Sequence, residues 1–206
     1  MQNFDIIRQS KPKKTFRVAS VMGTFDLKSE QITERFVGCI DLPEKWNVGL
    51  IVGRSGSGKT TIARELFGNY IKGNYEYSHE SILDDMPKES KMDEIVRTLN
   101  SVGFSSPPSW LKPYSALSNG ERMRCDIARA MLETDEMFVF DEFTSVVDRN
   151  VAQISSFAIQ KAIRRSGRRF IAVTCHYDVQ EWLMPDWVLN TDSMSFQCLS
   201  VETQKK

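Results

Sequence analysis

The stretch GRSGSGKT, Gly53 to Thr60, combines glycine, serine, lysine and threonine in a spacing suited to holding a phosphate chain. Gly53, Gly56 and Gly58 let the backbone curl until successive N–H groups converge, and a helix N-terminus adds its positive end. The pattern G-x4-G-K-[ST], placed between a strand and a helix, is a phosphate-binding loop. Lys59 would reach the β- and γ-phosphates, and the Thr60 hydroxyl would ligate Mg2+. Ser55, Ser57 and Thr61 complete the expected nucleotide-binding set.

A second group follows the apolar run MFVF, residues 137–140. Asp141 falls at the end of that run, where it can hold the water shell of Mg2+, and Glu142 falls beside it. A carboxylate there can orient and deprotonate water for in-line attack on a γ-phosphate, which favours a hydrolase over a kinase. His176 closes another apolar run, and could donate to the γ-phosphate and sense its loss. A third group, SNGE, opens a helix: Ser118 and Glu121 form the S-x-x-E capping box. That cap needs neither Asn119 nor Gly120, so the glycine-softened tip is expected to present open N–H groups to a second anion.

Elements must bring these groups together. NVGLIV (47–52), MFVF (137–140) and RFIAVTC (169–175) are near-continuous apolar runs, the mark of strands covered on both faces. Helical patterns lie at 59–67, at about 119–132 and at 150–165. Strands alternating with helices predict a doubly wound α/β core with a mainly parallel sheet, whose ligands sit beyond the strand C-terminal ends. Residues 15–27, TFRVASVMGTFDL, partly alternate and predict a half-buried strand. EWLMPDW, 181–187, predicts a helix and strand packing large aromatics into the core.

The chain has 206 residues, 41% hydrophobic and 26% charged, which fits one globular domain over 1–206 and argues against disorder. Lys plus Arg and Asp plus Glu both number 27, so the net charge gives a nucleic-acid role no support. Residues 1–14 read as a flexible basic leader, and RRSGRR, 164–169, as a cationic turn after a helix. Four scattered cysteines and two histidines argue against a metal cluster and for a reducing compartment. With no long apolar run or signal core, the expectation is a soluble, cytoplasmic chain without direct membrane insertion.

LSNGERMRCDIARAM, from Leu117, resembles the LSGGQ signature of the ATP-binding cassette (ABC) ATPases, with its following R-x-x-[IL]-A-R-A-[LM]. SVVD, ending at Asp148, resembles that family's D-loop, and His176 falls where its H-loop histidine belongs. The motifs stand in the family's order. The resemblance implies a P-loop ATPase of ABC type, with an N-terminal antiparallel β portion and a helical arm, here shortened, over about 70–116. It implies a head-to-tail homodimer enclosing two ATP molecules, each between one P-loop and the other copy's Ser118, Asn119 and Gly120, with Asp148 nearby. It implies an aromatic stacked on adenine, for which Phe25 is the candidate and Phe36 the rival.

Departures qualify the family's roles. From Thr60 to Glu121 there is no Gln, where transporter ATPases carry the residue that reports to the membrane subunit. His79, Glu80 and Asp84 occupy the region, and the sequence assigns none of them to that role. The nearest resemblance is to small soluble ABC-type ATPases of microbes and phages, some linked to an acetyltransferase-like domain, which would then be a partner. An ATP-binding transporter subunit and an ATP-gated clamp with negligible turnover remain as alternatives, and the choice of ATP over GTP stays open.

Overall fold

The computed structural model describes residues 1–13, 15–27 and 32–199. Lys14 of the basic stretch and the last residues of the expected domain lie outside them.

The chain opens with strand β1 (Gln2–Ser10), helix α1 (Phe16–Thr24) and strand β2 (Ile32–Ile40). β1 and β2 pair antiparallel, from Gln2 opposite Ile40 to Ser10 opposite Ile32. Residues 2–10 are therefore a strand and not a flexible leader: alternate residues Phe4 and Ile6 turn inward, and Phe4 is buried. The predicted strand at 15–27 is also corrected. Thr15 accepts a hydrogen bond from the Val18 N–H at 3.3 Å and starts a helix, none of whose residues is buried. A nine-residue segment with mixed apolar positions satisfies both periods, so the capping hydroxyl decides.

The second layer is a six-stranded sheet. Along the chain come β3 (Val48–Val52), α2 (Lys59–Phe67), β4 (Ile71–Lys72), α3 (Met92–Ser101), α4 (Pro107–Trp110) and α5 (Asn119–Glu133). Then follow β5 (Met137–Phe140), α6 (Arg149–Ser166), β6 (Arg169–Thr174), α7 (Val179–Leu183), β7 (Trp187–Asn190) and β8 (Ser195–Cys198). The strand order is β4-β5-β6-β3-β7-β8, parallel except for the antiparallel pair β7–β8. This bears out the mainly parallel α/β sheet.

The strands read as unbroken apolar runs because each face meets a different core. Leu50, Phe138, Phe140, Phe170 and Ala172 pack with α3, α5, α6 and α7 on one side. Their neighbours Ile51, Val139, Ile171 and Val173 pack with α2 and the β1–β2 ribbon on the other. Each such Val, Leu, Ile or Phe side chain contributes roughly 1.5–3 kcal/mol by leaving water. Trp182 on α7 and Trp187 on β7 are both buried, as the EWLMPDW reading expects. Trp187 lies so close to Gly49 that a Cβ there would sit 2.1 Å from the indole.

The segment 70–116 holds α3 and α4, and α3 buries Ile95 and Leu99, one turn apart. Three of the four RRSGRR cations pair within the chain: Arg164 with Asp186, Arg168 with the Thr134 carbonyl and Arg169 with Glu136. Gly167 ends α6 in the left-handed region, at φ 71°.

Candidate functional site

β3 ends at Val52, and the loop that follows is shaped by three glycines for three different reasons. A Cβ at Gly53 would lie 2.2 Å from Thr191 Oγ1, so the close approach of the loop after β7 excludes a side chain. Thr191 and Ser57 share a 2.6 Å hydroxyl bond there. Gly56 has φ 82°, and a Cβ would meet nothing within 4 Å, so the inner surface of the loop is bare backbone. Gly58 caps α2 in the left-handed region, at φ 86°, and a Cβ would lie 2.3 Å from the Phe36 ring.

Lys59 is 9% exposed, and its Nζ donates to the Arg54 carbonyl at 2.8 Å, spanning the loop. Thr60 Oγ1 donates to Asp141 Oδ1 at 3.2 Å, which ties the start of α2 to the end of β5. Glu142 donates its backbone N–H to the same oxygen at 3.0 Å, and its side chain accepts from Ser145 Oγ at 2.6 Å. Glu142 (φ 56°) and Thr144 (φ 64°) both occupy the left-handed region without being glycine. Such strain costs about 1–3 kcal/mol per residue and persists only where the surroundings impose it. A cavity of about 230 Å3 brings these groups together: Lys59, Thr60 and Glu142 line it, facing Arg8, Glu34 and Phe36 of the β1–β2 ribbon. Ser55, Gly56, Gly58 and Thr61 complete the loop side.

The other expected residues lie elsewhere. Phe25, at the end of α1, is 70% exposed and does not line this cavity, whereas its rival Phe36 does and is 7% exposed. His176 is half-buried just beyond β6, with its N–H on Thr174 Oγ1 at 3.2 Å, and is not among the residues lining the cavity. Asp148 caps α6 by accepting from the Val151 N–H at 3.0 Å.

At the tip of α5 the capping box is complete. Ser118 Oγ accepts from the Glu121 N–H at 3.4 Å, and Glu121 accepts from the Ser118 N–H at 2.9 Å. Burial pushes the Glu121 carboxyl up, but the Ser118 bonds, with Ser109 and Lys112, hold it below its ordinary value. Asn119 Nδ2 donates to the Val146 carbonyl at 3.1 Å. Ser118 and Asn119 are exposed, but Gly120 is buried, which corrects the expectation of an open glycine tip. A Cβ at Gly120 would lie 2.7 Å from Val151 Cγ1, so the glycine lets α5 approach α6.

Sequence reasoning missed several residues. Arg8 and Glu34 enter the cavity only through the ribbon, and Ser145 reaches Glu142 across a strained turn. Where a glutamine is lacking, Asp126 of α5 accepts from the Tyr77 and Tyr114 hydroxyls, each at 2.8 Å. Burial is the main cause raising the Asp126 carboxyl, against the pull of both tyrosines. The two rings stack at 4.0 Å and 6°, locking residues 75–77 to α5. His79 Nδ1 pairs with Asp85 at 2.7 Å, and none of His79, Glu80 and Asp84 lines the P-loop cavity.

No protein-family model matches the chain. Among curated proteins it is similar to Elongation factor 3 of Gonapodya prolifera, 30% identical over 137 residues, covering 53% of this chain and 12% of that one. It is also similar to the Spermidine/putrescine import ATP-binding protein PotA of Borreliella afzelii, 25% identical over 169 residues, covering 65% and 48%. The chain thus spans under half the length of either relative. Among solved structures it resembles a dimeric, post-hydrolysis state of an ATP-binding cassette bound to ADP and Pi, with a TM-score of 0.61. That match is 15% identical and covers 81% of this chain and 93% of that one, a likeness of fold.

Proposed function

With curated and structural neighbours that point to the nucleotide-binding domains of ATP-binding cassette ATPases, we propose that this chain binds and hydrolyses ATP. The observation that carries the reading is the convergence of Lys59, Thr60 and Glu142 on one cavity, with the Thr60 hydroxyl 3.2 Å from Asp141. Bare loop backbone at Gly56 and the buried Lys59 ammonium supply donors and positive charge for a triphosphate.

The residues also fit Mg2+. Among the described residues no group of three His, Cys, Asp or Glu gathers to hold a metal alone. One hydroxyl and one carboxylate fit an ion that takes its remaining oxygens from phosphate and water. Thr60 and Asp141 would hold it, and it would neutralise charge on the phosphates. Glu142 orients a water and takes its proton as the water oxygen bonds to the γ-phosphorus. The bond from that phosphorus to the β–γ bridging oxygen breaks, and ADP leaves with the electron pair.

In this reading the exposed tip, Ser118 and Asn119, covers the γ-phosphate of a second copy in a head-to-tail dimer. Closure and opening then act on a protein or nucleic-acid partner, and an acetyltransferase-like partner rests on the resemblance alone. The import ATP-binding protein among the relatives favours a second reading, the ATPase of a membrane transporter. The missing glutamine and the short arm weigh against it. No helix among the described residues is long and apolar enough to cross a membrane.

Steady-state phosphate release tests the reading. Glu142→Gln is expected to lower turnover by roughly 100-fold or more while binding ATP. Wild-type protein releasing phosphate no faster than Glu142→Gln would leave only a nucleotide-gated clamp.

A further inference from the structure

The cavity beside the P-loop has a wall that the phosphate chemistry leaves unused. β1 and β2 form a pleated ribbon in which alternate residues share a face. Phe4 and Ile6 on β1, and Phe36 and Ile40 on β2, face inward and join the core around α2. Their outward neighbours Ile7 and Val37 are 57% and 50% exposed. Arg8 and Glu34 are register partners, one inward step beyond the pair Ile6–Phe36. They continue the inner face past the point where Phe36 lies on Gly58, and both line the cavity. The face thus changes from apolar to charged where it overhangs the open loop.

We propose that Arg8 and Glu34 are the residues that contact the nucleoside of the bound nucleotide, so that a charged cross-strand pair, not an aromatic ring, reads the base. The proposal rests on the nucleotide-binding reading above. With Lys59, Thr60 and Glu142 engaged by phosphates, the ribbon is the wall left for the nucleoside. Phe36 presents its edge to Gly58 and is nearly covered, and Phe25 is outside the wall, so neither offers a free ring face to the cavity. Arg8 carries a planar guanidinium that can lie flat on a base. The Glu34 carboxylate is acceptor-only, and accepts from a base amino group while repelling a base carbonyl. Discrimination among bases follows from that repulsion, because an unpaired buried acceptor costs more than a missing contact gains.

Calorimetric titration of the full chain, in Mg2+, with ADP, GDP, UDP and inorganic tripolyphosphate tests this. Arg8→Ala and Glu34→Ala should each weaken ADP by about tenfold and leave tripolyphosphate unchanged. Glu34→Gln, whose amide both donates and accepts, should narrow the spread of affinities among the three nucleotides. Gln9→Ala and Thr33→Ala, on the outer face of the same ribbon, should change nothing. Equal weakening of tripolyphosphate and ADP would place the pair on the phosphates and overturn the proposal. So would unaltered ADP affinity in both Ala variants, with the nucleotide reading left standing. Wild-type protein that binds none of the four probes would remove the nucleotide reading, and this proposal with it.

Discussion

Gly58 shows how much conformation one residue type can encode. Its φ of 86° and the Phe36 ring 2.3 Å from a would-be Cβ each exclude a side chain. Gly58→Ala is expected to lose nucleotide binding and to lower the melting temperature, since a non-glycine left-handed residue costs about 1–2 kcal/mol before the clash is counted. Adding Phe36→Ala should recover part of that loss, because it relieves the contact but not the backbone. Lys59→Ala should behave differently. Among the described residues its ammonium bonds a loop carbonyl, so the fold should hold while ATP affinity falls by roughly 100-fold or more, checked by calorimetry beside a thermal melt. These positions were legible because a phosphate loop must be written in glycines and one lysine. Arg8 was not: the basic composition around it looks like a solvated leader, and its role depends on a partner strand 26 residues away in the register. Phe25 was legible as an aromatic, but it follows α1 as an exposed residue and does not line the cavity.

At the scale of elements, sequence served best where burial is two-sided. β3, β5 and β6 and the helices α2, α5 and α6 match the predicted spans within a residue or two, because period and burial agree along each. β1 and α1 escaped because the ribbon is covered on one face only and α1 buries nothing, so no continuous apolar signal marks them. Gly120 is a third such case: its reason lies in α6, not in its own helix. Gly120→Ala should destabilise the fold by about 1–3 kcal/mol through overpacking on Val151, although alanine is the better helix former by about 1 kcal/mol. Val151→Ala in the same chain should restore most of the loss in a denaturant titration, and additive effects would show that the two helices do not meet there. The capping box of α5 carries a pH dependence. Glu121 titrates below its ordinary value in the fold, so its contribution is full above the unfolded carboxylate value of about 4.3 and fades as pH falls through the folded one. Exchange of the Ser118 and Glu121 amides should therefore gain protection as pH rises out of that acidic window, once the intrinsic rate is removed.

For the whole molecule, the decisive separation is between two surfaces of one chain. The phosphate loop faces a cavity that Ser118 and Asn119 do not line, yet those two residues stand exposed at a capped helix tip. If the tip serves a second copy, turnover per protomer must rise with protein concentration and level off once dimers dominate. Ser118→Arg should bind ATP at the P-loop as wild type does, while light scattering with a non-hydrolysable analogue and Mg2+ shows only monomer. The substitution also removes a cap, a loss of about 1 kcal/mol, so Ser118→Ala is the needed companion. Alanine removes the same hydroxyl without bulk or charge, and is expected to dimerise more weakly but detectably. Dimers of Ser118→Arg as abundant as those of Ser118→Ala would show that the tip faces solvent in the assembled state. The exposed serine would then only start a helix, and the asparagine only tie its tip to the Val146 carbonyl.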